Sequence, residues 1–339
     1  MSGRERIMAA IAGKQSDRVA LWPFVMAFSA KYAQIPYSAF ATDYKMLAKA
    51  QIATADYFGL DAVTVDSDAY REATAFGAVL DFPEDDLPVM VKHAITDQDK
   101  FDFMKPDIGA SLRLVDKIEG VRFLSNHYQG EKAVVGWIEA PLQSAGMLYN
   151  MDDFMIDLLE GEEFILRLLD LVTEFEIEFA LEQAWAGADI IGIGDAMASL
   201  VSANLYQEKI MPCLKRVVQA IHANSAAKVK YHMCGDSKHL LPYVTDIGFD
   251  IINIDYKINM AEAFKITNDE ICIKGNINPV TILRPETETQ IAAEVIKLLD
   301  LQKPNFILSA GCEIARDTPV KNFKAFCNAV GGMETLNRL

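Results

Sequence analysis

The chain has 339 residues, 51% of them hydrophobic and 24% charged, with a formal net charge of −16. That balance describes a folded globular protein with a sizeable core, arranged as one large domain or two ordinary ones, and excludes a disordered chain. The acidity excludes nucleic acid as a partner, because polyphosphate binding needs clustered Lys and Arg.

At the N-terminus, MSGRERIMAAIAGKQSDR carries a brief apolar run that Lys14 and Asp17 soon interrupt. This is no signal peptide, and nowhere does an uninterrupted apolar segment approach the ~20 residues of a membrane-spanning helix. No membrane association and a cytoplasmic location are expected. The five cysteines, Cys213, Cys234, Cys272, Cys312 and Cys327, are odd in number and scattered. They do not form a disulfide framework, so each thiol is expected free, buried or bound to metal.

In chain order, eight runs have the length and apolar character of strands. They are RVALWPFV from Arg18, GLDAVTVDSD from Gly59, AVVGWIEAP from Ala133, GADIIGIGD from Gly187, KVKYHM from Lys228, GFDIINID from Gly248, EICIKGNI from Glu270 and FILSAGC from Phe306. Three of them share one plan, in which a glycine closes the preceding helix, an apolar run follows and an aspartate ends it. Helical patterns lie between most of the runs. In the longest, Phe164, Leu168, Leu171, Phe175 and Phe179 recur at three- and four-residue spacing, with Gly161 separating a shorter helix before it.

Near-continuous apolar strands alternating with helices indicate a parallel sheet covered on both faces. Eight such units predict an α/β fold, a (β/α)8 TIM barrel with an N-terminal helical extension, spanning 1–339 as a single domain. A doubly wound open sheet is the alternative. It is weakened by the lack of a G-x-G-x-x-G turn or a G-x-x-x-x-G-K-[ST] loop. Residues 83–129 fit the alternation least and are expected to form an insertion or a hairpin.

In a barrel the working residues lie at the carboxyl ends of the strands. That rule selects Asp66, Asp68, Glu139, Asp195, His232, Cys234, Asp255, Asn276, Asn278 and Cys312. Alone, an H-x-C pair is a weak metal signal, but residues i and i+2 of a strand point the same way, so His232 and Cys234 can both face the mouth. With Cys312 ending the eighth strand and Asp255 the sixth, three strands can deliver four ligands to one point. Two thiolates and an imidazole are a zinc set, and a carboxylate or an open fourth position marks such a site as catalytic.

Plainer readings cover the remaining candidates. Cys213 and Cys327 lie on apolar helix faces and Cys272 lies inside a strand, so all three read as core. His222 and His239 read as surface or capping residues. Any one of Asp66, Asp195 and Asp255, taken alone, reads as a cap of the following helix.

With these residues placed, the chain resembles the uroporphyrinogen decarboxylase-like superfamily, in its cobamide-dependent methyltransferase branch. The likeness runs from RERIMAAIAGKQSDRVALWP to KNFKAFCNAV, with KYHMCGD, INID, KGNINP and ILSAGCEIARDTPVKNF as its most specific marks. The resemblance implies a zinc site on His232, Cys234 and Cys312, completed by Asp255 when substrate is absent. The decarboxylase gathers its substrate's carboxylates with an arginine-rich segment after the first strand, where this chain has LWPFVMAFSAKY without an arginine. Decarboxylation is therefore kept as an alternative, on the strength of Asp68. Glu139 departs from the glycine usual in the family's G-P-F turn.

The reading that follows is a zinc-dependent methyltransferase working between a small substrate and the cobalt of a separate corrinoid protein. The substrate is a thiol such as coenzyme M or a methyl donor such as an aryl methyl ether. Cobalamin must come from the partner, because no D-x-H-x-x-G motif occurs here. Asp68, Asp195 and Glu139 are the catalytic candidates, and Asp66, Glu72 and Asn276 are candidates for placing the substrate. A non-catalytic, zinc-containing binding subunit is the alternative of another class.

Overall fold

The computed structural model describes residues 1–96, 101 and 104–331. Among the described residues ten strands form: β1 (Ala20–Leu21), β2 (Ala62–Thr64), β3 (Val79–Asp81), β4 (Val89–Lys92), β5 (Ala133–Glu139), β6 (Ile190–Asp195), β7 (Lys228–Met233), β8 (Ile251–Ile254), β9 (Cys272–Ile277) and β10 (Phe306–Ala310). All eight predicted runs are strands of one sheet, in the order β1-β10-β9-β8-β7-β6-β5-β2, with every pairing parallel.

The seam between β1 and β2 is closed largely by one side chain. The Asp61 amide donates to the Leu21 carbonyl at 2.9 Å, and the Leu21 amide donates back to Asp61 Oδ2 at 2.7 Å. Arg18 at 2.7 Å and Arg6 at 3.1 Å pair with the same buried carboxylate. The result is a nearly closed (β/α)8 barrel.

Its interior is layered, because alternate residues of each strand face inward. The lowest layer contains Ala20, Ala62, Ala133, Val135, Ile190, Ile251, Cys272 and Ile307, and the N-terminal helix Gly3–Ile11 plugs it with Ile7 and Ala10. That helix is started by a capping box between Ser2 and Glu5. Two residues further along the strands lies a layer with two buried lysines. Lys230 Nζ stands 4.1 Å from the Trp137 ring centroid, and Lys274 Nζ donates to Asn253 Oδ1 and Ser309 Oγ at 2.9 Å each. The next layer is the mouth.

The helices behave largely as the spacing predicts. Gly161 ends helix Met151–Glu160 in the left-handed region at φ 76°, and helix Glu163–Trp185 buries Phe164, Leu168, Phe175 and Phe179. The segment 83–129 is only partly an insertion. An antiparallel hairpin, β3 with β4, begins ahead of it, and its latter part is helix Leu112–Tyr128, which packs on the barrel between β2 and β5 as a regular member of the outer ring. Among the described residues no helix is long and apolar enough to cross a membrane.

Candidate functional site

Strand β7 pairs residue by residue with β6 and β8, which sets Gly194 and Asn253 on either side of His232. The ring of His232 is 4% exposed, and two residues on Cys234 leaves the strand beside it. Cys312 arrives from the turn after β10. The three side chains offer ligand atoms that all lie within 4.8 Å of one another. Cys234 Sγ is 3.6 Å from Cys312 Sγ and 3.0 Å from His232 Nε2, and Cys312 Sγ is 3.8 Å from the same nitrogen. Tetrahedral zinc, with bonds of about 2.3 Å to sulfur and 2.0 Å to nitrogen, sets ligand-to-ligand edges of roughly 3.5–3.8 Å. Two of the three separations match such an edge, and the third is a thiol–imidazole hydrogen bond that opens by about half an ångström when a metal replaces the proton. The residues therefore fit a divalent metal of soft character. The hydrogen bond between the two thiols holds Cys312 well below the ordinary thiol value and pushes Cys234 above it.

The surroundings of the triad are half aromatic. Phe24 and Trp137 stack at 4.9 Å between centroids, and their centroids lie 6.2 and 6.4 Å from that of His232. Asp255 lies outside the three-residue group. Its Oδ2 accepts from the Gly235 amide and its Oδ1 from the Lys257 amide, each at 3.0 Å, so the carboxylate fastens the turn that carries Cys234. Asn276 donates to the carbonyls of Asp255 and Ile258 and fixes the loop after β8 that carries Asp255. Asn278 caps the following turn through the amides of Val280 and Thr281.

The acidic candidates separate into two kinds. Asp66, Glu72 and Glu139 are brought together, each at most 5% exposed. Lys117 Nζ lies 3.6 Å from Asp66 and 3.7 Å from Glu72, while the Trp137 indole donates to Glu139 at 3.0 Å. Burial pushes Asp66 up to about 6 and Glu139 well above the carboxylate range. Asp68 is of the second kind, since Arg113 grips it at 2.6 Å, Ser67 donates to it, and its pKa falls to about 2. Arg71 is committed as well, to Asp116, Ser67 and two backbone carbonyls.

Asp195, the third catalytic candidate, is turned away from the mouth and takes the plainer capping role. Gly194 precedes it in register with inward His232, so strand alternation turns Asp195 outward, where Tyr231 donates to it at 2.7 Å and the Ala198 amide at 3.0 Å. Burial pushes its carboxyl up to about 7.

Sequence reasoning missed Lys117, Glu176, Lys230, Lys274 and Glu313. Of these, Lys230 carried a usable signal, because KVKYHM places Lys228, Lys230 and His232 at period two and marks one face of the run as polar. Glu313 accepts from the Ala27 amide at 2.7 Å and ties the Cys312 turn to the loop after β1. The other residues behave as expected: Cys213, Cys272 and Cys327 are buried, His222 bonds Asp250, and His239 bonds the Val201 carbonyl.

Barrel and mouth together define a class, an α/β-barrel protein whose strand ends bring together a His/Cys/Cys triad that could hold a metal ion. Residues 2–333 match the uroporphyrinogen decarboxylase (URO-D) family, to which the chain belongs. Among its relatives, a methylcobamide:CoM methyltransferase, MtbA, of Methanosarcina mazei is 29% identical over 285 residues, covering 83% of each chain. A uroporphyrinogen decarboxylase of Trichlorobacter lovleyi is 23% identical over 337 residues, covering 96% of this chain and 97% of that one. The solved structure of a methyltransferase from Methanosarcina mazei has the same fold, with a TM-score of 0.88 at 22% identity over 98% of this chain and 99% of that one.

Proposed function

We propose that this protein is a zinc-dependent methyltransferase that moves a methyl group between a small substrate and the cobalt of a separate corrinoid protein. The observation that carries the reading is the convergence of Cys234, Cys312 and His232 at the carboxyl ends of two barrel strands. Zinc held by these three residues would supply Lewis acidity to a substrate sulfur or oxygen. The chain's own residues do the rest. Cys234 and Cys312 would hold the metal as thiolates, with the His232 imidazole as the third ligand. Asp255 fastens the turn that carries Cys234, Asn276 holds the Asp255–Ile258 loop, and the stacked rings of Phe24 and Trp137 lie beside His232. Relatives named as methylcobamide:CoM methyltransferases support the reading.

Decarboxylation is the weaker reading even though relatives bear that name. Asp68 is neutralised by Arg113, and both arginines around it are already committed, so neither is available to gather a polycarboxylate.

The test combines zinc analysis with single-turnover assays of methylated and thiol substrates against cob(I)alamin and methylcobalamin, free and protein-bound. Methyl transfer with stoichiometric zinc is expected. Stoichiometric zinc without turnover of any donor or acceptor would instead favour the binding-subunit alternative, and release of carbon dioxide from uroporphyrinogen would favour decarboxylation.

A further inference from the structure

Beside the thiols lies a second feature that zinc binding does not use. Asp66 follows β2, Glu139 ends β5, Glu72 sits on helix Arg71–Ala75 and Glu176 on helix Glu163–Trp185, and all four carboxyls are buried. Lys117 faces two of them, but its hydrogen bond goes to the Trp137 carbonyl at 3.2 Å. Other cations are engaged elsewhere: Arg113 on Asp68, Arg71 on Asp116, Lys274 on Asn253 and Ser309, and Lys230 among the rings of Trp22, Phe24 and Trp137 one layer below.

Several buried polar atoms here have no hydrogen-bond partner: Asp66 Oδ1, both oxygens of Glu72, Glu176 Oε2 and Gln143 Oε1. Gln143 is not an acid. It is 3% exposed and precedes Ser144, which donates to Glu176. Every one of these orphan atoms is an acceptor, so the complement they lack is a donor or a positive charge.

The register ties this lobe to the triad. Glu139 pairs with Gly194, and Gly194 with His232. A Cβ at Gly194 would stand 2.9 Å from Glu139 Oε2, so the missing side chain lets the Glu139 carboxyl lie across β6 toward His232.

We propose that this lobe receives the positively charged nitrogen of the small substrate, an ammonium or methylated ammonium group, while the atom that gives or takes the methyl group faces Cys234, Cys312 and His232. The proposal rests on the methyl-transfer reading for the second half of that sentence and on the lobe alone for the first. Burial raises the pKa of Glu139 and Glu176 well above the carboxylate range, and a cation placed beside them favours the charged form. A thiol carrying a sulfonate meets the opposite field and is disfavoured.

Two measurements test it. Cobalt(II)-substituted protein is titrated with thiocholine and with mercaptoethanesulfonate, matched in chain length and opposite in charge, and followed by the thiolate-to-cobalt absorption band. Thiocholine is expected to bind at least about tenfold more tightly, with Glu72→Gln and Glu139→Gln each removing most of that preference. Tetramethylammonium is also titrated by calorimetry into metal-free protein and into Glu72→Gln, a variant that keeps the side chain's shape and whose fold is checked by circular dichroism. Binding to the wild type alone is expected. Equal or tighter binding of the sulfonate thiol, or no response to tetramethylammonium, would overturn the proposal and assign the lobe to ordered water. Neither readout involves a corrinoid, so a charge preference without any methyl transfer would sink the functional reading and leave this one standing.

Discussion

Replacing Asp195 by asparagine isolates the energetic effect of one buried acid. The Asp195 carboxyl is 1% exposed, bonded by the Tyr231 hydroxyl and the Ala198 amide, and its pKa is pushed from 3.8 up to about 7, mainly by burial. A carboxyl with a raised folded pKa stabilises the fold fully below its unfolded value and loses that contribution as pH rises toward the folded value, here between about pH 4 and pH 7. Each pH unit over which only the folded chain holds the proton is worth about 1.36 kcal/mol, so between about pH 5 and pH 8 the wild type loses roughly 3 kcal/mol at this group. Asparagine keeps an acceptor for Ala198 and can donate to Tyr231, whose own proton then turns to Tyr206, 3.4 Å away. The stability difference between variant and wild type, from chemical unfolding at both pH values, should therefore move by about 3 kcal/mol in the variant's favour as pH rises. Parallel pH profiles, with the difference constant to within about 0.5 kcal/mol, would refute the assignment of a protonated, buried Asp195.

Changing Cys312 to alanine should lower zinc affinity by orders of magnitude while far-UV circular dichroism stays unchanged, and retained stoichiometric zinc in equilibrium dialysis would contradict the ligand assignment. At Gly194, alanine places a methyl 2.9 Å from both Glu139 Oε2 and Trp137 Cζ2. That crowding should cost about 1–3 kcal/mol in unfolding experiments and displace the Trp137 ring, read as a shift in tryptophan fluorescence. Asp61→Ala should destabilise the barrel by about 3–5 kcal/mol, because it leaves Arg18 without its carboxylate and the Leu21 amide without its acceptor, while Arg6 keeps only Asp17. Thermal unfolding at high and low salt checks it, and an unchanged midpoint would show that the seam is held otherwise.

The eight strands are legible because each is an apolar run buried on both faces, and two of the glycines before them, Gly59 and Gly248, adopt left-handed conformations at φ 69° and 97°. Helix Leu112–Tyr128 is obscured for a physical reason. Its buried stripe of Leu114, Ile118, Val121 and Leu124 is shared with Lys117, a charged residue that a hydrophobic pattern assigns to solvent. The triad is legible because period two puts His232 and Cys234 on one side and Cys312 ends another strand. The direction of Asp195 is not, since the last residue of an apolar run gives no sign of which parity faces inward until the register with β7 is known. Nor could the separate fates of the acids be read from the chain. Asp66 and Asp68 are two residues apart, yet one faces a distant ammonium and the other is clamped by a guanidinium, and both partners come from the helix whose pattern is obscured.

The N-terminal plug has a consequence for traffic. With Ile7 and Ala10 stopping the floor and lysine and tryptophan side chains filling the middle, the barrel is a cup and not a tube. Whatever reaches the sulfurs must enter and leave by the same rim. A bulky visitor seated on that rim therefore shuts in any small molecule already inside, and order of arrival becomes a property of the shape.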